Sequence, residues 1–173
     1  MDRLPIAYYT YLVAFSKVDS DILPLYRAYD HKIELIAENT LFYTLLYKIT
    51  TIELEEIKRY LLENLKKGFI EPSYAPFASP VLFVKKANRS LRLYIDFQRL
   101  NKITKKDRYP LPLINEAFAR ISKARIFTKL DIRQAFNRIR IYPNSEELTT
   151  FKTRYRTYKY KVLLFGLTNG TST

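Results

Sequence analysis

Cysteine is absent from this chain, which excludes a disulfide framework and any thiolate metal site. Histidine occurs once, at His31, without the partners a zinc centre or a catalytic triad would need, so a structural role is expected for it. Only three glycines occur in 173 residues, where the usual share is about 7%. That is sparse for a domain with several tight turns, because glycine relieves the cost of positive φ. No apolar run reaches the roughly 18 residues of a membrane span. Residues 1–11 lack the basic start and long apolar core of a secretory signal. The expected setting is therefore intracellular, cytoplasm and nucleus not being distinguished, with no membrane partner.

Positive charge is what the chain has in excess. With 47% hydrophobic residues it has enough apolar material for one domain with a core, or for part of a larger one. The net charge of +13 is carried almost entirely by residues 85–161, where 21 Lys/Arg face 6 Asp/Glu. Residues 1–84 hold 9 basic against 11 acidic side chains. A one-sided basic field interleaved with Tyr and Phe is the footprint of a polyphosphate partner. A solvated basic surface is the plainer alternative.

Residues 1–50 have weak periodicity and read as an irregular leader with at most short helices, such as Tyr8–Phe15. A helix follows. Thr50 and Glu53 fit a capping box, Leu54, Ile57, Leu61 and Leu65 form an apolar stripe, and Gly68 is placed to end it. Pro72 to Pro80 is an extended connector. Val81–Lys86 and Leu91–Phe97 read as strands joined by a turn at 87–90. Pro110 and Pro112 introduce a helix of about ten residues with Ile114, Ala117, Phe118 and Ile121 apolar. Arg125–Asp131 reads as a strand, Ile139/Ile141 and Leu148–Lys152 as further extended segments, Arg154–Val162 as a hairpin, and Phe165-Gly166-Leu167 as a turn. The class is α+β with a mostly antiparallel sheet.

The run Phe127-Thr-Lys-Leu-Asp131 ends a predicted buried strand on a carboxylate, a costly place for a charge without a metal or hydrogen-bond partner. An aspartate there can equally be a turn or N-cap residue. Nucleotide polymerisation uses two divalent ions about 3.5–4 Å apart, and Mg²⁺ takes carboxylate, carbonyl and phosphate oxygens. Asp131 with the backbone carbonyl of Ile132 suits one side of such a pair. Lys86 and Arg92 flank the first hairpin and could close over a triphosphate, or merely be a solvated rim. Phe136, five residues beyond Asp131, could lie under a bound sugar; an ordinary core aromatic is the other reading.

The order of these motifs resembles the reverse transcriptase of gypsy-type LTR retrotransposon polyproteins. Leu23-Pro24 through Tyr29-Asp-His-Lys-Ile-Glu-Leu35 resembles the segment joining protease to reverse transcriptase. Asn64-Leu-Lys-Lys-Gly-Phe-Ile-Glu-Pro-Ser73, Ser79-Pro-Val-Leu-Phe-Val-Lys-Lys86 and Ser90-Leu-Arg-Leu-Tyr-Ile-Asp-Phe97 with Leu100-Asn101 resemble the fingers. Arg108-Tyr-Pro-Leu-Pro-Leu-Ile114, Phe127-Thr-Lys-Leu-Asp131 and Phe165-Gly-Leu-Thr-Asn169 resemble the start of the palm. The resemblance implies a right-hand polymerase copying an RNA or DNA template-primer with dNTPs and Mg²⁺. Its fingers would span about 51–124 and the early palm about 125–173. On that mapping Asp131 is the first catalytic carboxylate and, with the Ile132 carbonyl, a metal ligand. Lys86 and Arg92 are triphosphate-binding positions, Phe136 excludes a ribose 2′-hydroxyl, and Phe165-Gly166 lies against the incoming nucleotide and template.

The family's tandem aspartate pair has no counterpart here. The only acids after Asp131 are Glu146 and Glu147, in what reads as a surface turn. The polypeptide alone is therefore expected to be inactive and not to bind Mg²⁺ productively. Arg89 and Arg156 stand where the family pattern has glycine, Tyr94-Ile95 where it has Cys-Val, Gln98-Arg99 where it has Arg-Gly, Leu25-Tyr26 where it has Pro-His, and Leu164 where it has Pro. Gly→Arg, Cys→Tyr, Val→Ile, Arg→Gln, Pro→Leu and His→Tyr can each arise by a C-to-T or G-to-A change, the pattern of a decayed element. Arginine at a positive-φ turn would strain the hairpin, and marginal stability is expected. Two alternatives stand beside the enzyme fragment: a basic nucleic-acid-binding remnant without activity, and a relic without function.

Overall fold

The computed structural model describes residues 6–36, 45–85, 91–109, 113–129 and 131–172. The leader begins as a 3-10 helix, Ile6–Phe15, and one turn of α1 (Lys17–Ser20) capped by the Ser16 hydroxyl. Residues 30–35 then pack against two distant segments, with Lys32 and Glu34 facing solvent. His31 bridges Ile141, Leu35 bridges Thr104, and Asp30, His31 and Ile33 are all buried.

The long helix α2 (Thr51–Lys67) starts and stops where its caps dictate. The Thr50 hydroxyl accepts from the Glu53 amide and the Glu53 carboxylate accepts from the Thr50 amide at 2.8 Å, a reciprocal capping box. Those backbone and hydroxyl hydrogen bonds from Thr50 hold the Glu53 carboxyl below its usual value. At the other end Gly68 takes φ 71°, a left-handed cap that glycine adopts without Cβ strain. The buried face differs slightly from the expected stripe. Ile57 and Leu61 are buried, whereas Leu65 stays 37% exposed and Asn64 turns inward. Asn64 is tolerated because its amide donates to the Tyr60 carbonyl.

Five strands form one mixed sheet in the order β1-β5-β4-β2-β3: β1 (Ile70–Pro72), β2 (Ser79–Lys85), β3 (Leu91–Ile95), β4 (Phe151–Lys152) and β5 (Thr157–Tyr160). Every pairing is antiparallel except β2 with β4, where Ser79 lies opposite Phe151. The β2–β3 pair is the expected hairpin, with Val84 opposite Arg92; the turn at 87–90 falls outside the described residues. The hairpin expected over 154–162 begins earlier: its strands are β4 and β5, with Phe151 opposite Tyr158, and 153–156 form the turn between them. Ile57 and Leu61 of α2 meet Ile70, Val81, Phe151 and Tyr160 of the sheet in one core with Ile33 of the leader. Two further helices are α3 (Gln98–Ile103), which buries Leu100, and α4 (Ile114–Ile121).

Several expectations are corrected. Residues 125–129 and 131 form no strand and are exposed. A strand needs a neighbour to satisfy its amides, and no described segment pairs with this one. The α4 helix is eight residues long, and its apolar face is bare, with Ile114 and Phe118 72% and 65% exposed. Leu148–Lys152 is extended only at Phe151–Lys152. The preceding Pro143–Thr149 is a 3-10 helix, opened by proline and closed by the Thr149 and Thr150 hydroxyls bonding back to the Glu146 and Glu147 carbonyls. Arg156 is not a positive-φ residue; among described residues other than glycine only Gln134 and Asn169 are. No φ strain arises at Arg156, whose guanidinium bonds the Tyr74 hydroxyl and lies over its ring.

Candidate functional site

The β3 strand, the turn after β5 and the short 3-10 helix Phe136–Arg138 meet around one cleft of about 470 Å³. Arg92 and Tyr94, on the same face of β3, form one wall; Phe136 and Phe165 form another; Tyr60 and Glu56 of α2 close the base. The Arg92 guanidinium lies 5.1 Å from the Tyr94 ring centroid and 5.7 Å from that of Phe165. Phe165 meets Phe136 edge to face at 5.8 Å. Phe136 also packs against the core, so it serves both as a core aromatic and as cleft wall. Phe165 is 58% exposed, an aromatic face presented to solvent.

The Phe165-Gly166 turn is held from outside. Gly166 has φ 103°, a conformation that favours glycine although a Cβ would meet nothing within 4 Å. The Asn101 amide, in α3, donates to the Gly166 carbonyl at 2.7 Å and accepts from the Thr168 amide at 2.9 Å. Asn169 makes the reciprocal pair, accepting from Asp107 N–H and donating to the Lys105 carbonyl. These asparagine clamps had no signal in periodicity or composition, because they depend on two segments over 60 residues apart. Beside them Lys102, Lys105, Lys106 and Arg108 line an open groove.

Of the residues expected to act, Arg92, Phe136 and Phe165 are brought together, with Gly166 shaping the turn. Lys86 lies outside the described residues. Asp131 is exposed rather than buried, and Ile132 is 50% exposed; neither lines the cleft. The donor set does not fit a two-metal centre. Among the described residues no group of three or more His, Asp or Glu side chains could hold a metal ion.

Glu146 is also unavailable as a ligand, and its surface-turn reading is corrected, whereas the Glu147 side chain stays half exposed at the surface. Glu146 is buried against Arg140, with its Oε1 accepting from the Tyr26 hydroxyl at 2.9 Å. Glu147 accepts from Lys159 and Ser73. Burial pushes the Glu147 carboxyl up, but those hydrogen bonds outweigh it and leave it below the usual carboxylate value. His31 is buried, and burial lowers its imidazole pKa. No described helix is long and apolar enough to cross a membrane.

Residues 84–173 match the family model for reverse transcriptase (RNA-dependent DNA polymerase). The Tf2-3 and Tf2-4 transposon polyproteins of Schizosaccharomyces pombe are 31% identical over 166 residues, 95% of this chain but 12% of each polyprotein. The selenomethionine-labelled CSH mutant of prototype foamy virus protease–reverse transcriptase superposes with a TM-score of 0.71 at 21% identity, over 97% of this chain and 24% of that one. The native form of the same viral protein gives 0.68 at 22% identity. These solved structures share the mixed, mostly antiparallel α+β architecture. The chain belongs to the reverse transcriptase family.

Proposed function

We propose that this chain is the fingers and early palm of a gypsy-type retrotransposon reverse transcriptase, holding a template-primer and an incoming nucleotide. The fingers span about 51–124 and the start of the palm about 125–173, after a connector of residues 1–50. The observation that carries this reading is the convergence of Arg92, Phe136 and Phe165 on one cleft beside a groove rich in lysine. A guanidinium suits a triphosphate, an aromatic wall suits a sugar and base, and the lysines suit the phosphates of a template strand.

Asp131 and the Ile132 carbonyl are the residues that would contribute to a Mg²⁺ pair. One carboxylate does not supply enough oxygen donors for two dications, so these residues by themselves support no polymerisation. The test is primer extension by the purified 173-residue chain, run beside binding of a fluorescent primer-template with and without dNTP. No extension, together with nucleotide binding that needs Arg92, supports the reading. Extension that vanishes in Asp131→Ala would overturn the inactivity.

The second reading is a nucleic-acid-binding remnant, favoured by the cationic groove. It predicts binding that falls steeply with salt and is indifferent to both Mg²⁺ and nucleotide. An intracellular location and origin in a decayed element belong to the same proposal. A balanced spectrum of transitions and transversions against an intact relative would end the decay idea.

A further inference from the structure

We infer that Tyr94 is a positioning residue: with Phe165 it holds the Arg92 guanidinium in an aromatic corner and leaves N–H donors for a polyphosphate. The inference rests on the nucleotide-binding reading above and deepens it. Arg92 and Tyr94 are two residues apart on β3 and so share a face of the strand. Both ring centroids, at 5.1 Å and 5.7 Å, lie within the roughly 6 Å at which a ring quadrupole attracts a cation. The Tyr94 and Phe165 rings meet at 6.2 Å with 67° between their planes, so they form two sides of a corner around the guanidinium.

A ring attracts the cation through its quadrupole rather than by accepting a conventional hydrogen bond, so the guanidinium keeps its N–H donors. Among the described residues, the Arg92 side chain makes no hydrogen bond or ion pair, so those donors are uncommitted. An exposed arginine otherwise loses rotamer freedom when it grips an anion. The cradle removes part of that loss in advance. Phe165 is itself fixed, by Asn101 across its turn and by its edge-to-face contact with Phe136. Tyr94 supplies the remaining wall without touching the anion, and it does so with its ring rather than its hydroxyl.

Binding of inorganic tripolyphosphate, and separately of dATP, by isothermal titration tests this on the full chain. Tyr94→Leu keeps the apolar bulk and removes the quadrupole; it should weaken both ligands about three- to tenfold. Tyr94→Phe should stay within about twofold of the parent, and Tyr94→Leu should add nothing in an Arg92→Ala background. Unchanged or tighter binding in Tyr94→Leu, with Arg92→Ala still weakening it, overturns the cradle alone. Binding that ignores Arg92 overturns the nucleotide reading and the cradle together. A ligand-free measurement guards against misfolding. Ring currents should shift the Arg92 side-chain protons upfield in the parent and in Tyr94→Phe and less in Tyr94→Leu, where Phe165 alone remains, and unshifted protons in the folded parent would refute the aromatic corner.

Discussion

The guanidinium of Arg140 stacks on the ring of Tyr26, 3.9 Å from its centroid, and both groups bond the same carboxylate oxygen of Glu146. Arg140 also reaches the Pro24 carbonyl, so one buried ion pair ties the leader to the segment before β4. Burial first, and then the Glu146 hydrogen bond, raise the Tyr26 hydroxyl pKa, so the tyrosine remains a neutral donor.

Removing one partner of that pair is therefore expected to be severe. Glu146→Ala leaves a buried guanidinium without its counter-charge and should cost about 3–5 kcal/mol. The paired change Arg140→Met with Glu146→Leu should cost far less, since it removes both charges together. Urea denaturation of the single and paired variants checks both outcomes.

Acid should destabilise the fold in two steps. Burial depresses His31 below its ordinary 6.5, so the unfolded chain takes up a proton first as pH falls. His31 contributes fully above 6.5 and progressively less below it. Glu71 and Glu147 are pushed up by burial but held below 4.5 overall by hydrogen bonds, from Lys161 and Lys159 to the first and from Lys159 and Ser73 to the second. Their contribution is complete above 4.5 and is lost as pH falls through their lower folded-state values. Urea midpoints between pH 8 and pH 3 should show both phases, and His31→Gln, if it folds, should flatten the upper one.

The ends of α2 offer a milder perturbation. Thr50→Ala breaks the capping box and should lower stability by about 1 kcal/mol. Gly68→Ala forces a Cβ into φ 71° and should cost on the order of 1 kcal/mol, although the space beside it is ordinary van der Waals contact with Leu23. Thermal melts followed by circular dichroism read both.

The bare face of α4 should behave oppositely. Ile114→Glu with Phe118→Lys changes side chains that are 72% and 65% exposed, so stability should move by less than about 0.5 kcal/mol for each. Light scattering at high protein concentration should fall, because an exposed apolar patch promotes association. A large loss of stability would mean that the face is covered.

What residue order alone determined was local: the capping box at Thr50, the Gly68 stop, the β2–β3 hairpin and the Phe165-Gly166 turn. Each depends on a few neighbouring residues whose side-chain chemistry satisfies nearby backbone groups, and the ordered motifs of the family could be read in the same way. Tertiary structure decided what depends on distant partners. Glu146, which reads as a turn acid, is buried because Arg140 and Tyr26 come to meet it. The segment before Asp131 has a strand's composition yet forms none, because β structure exists only where a second segment supplies the other half of each hydrogen bond. The joining of Arg92 to Phe165, more than 70 residues further on, likewise came from the sheet and the Asn101 clamp, since no local periodicity encodes a contact between segments that far apart in the chain.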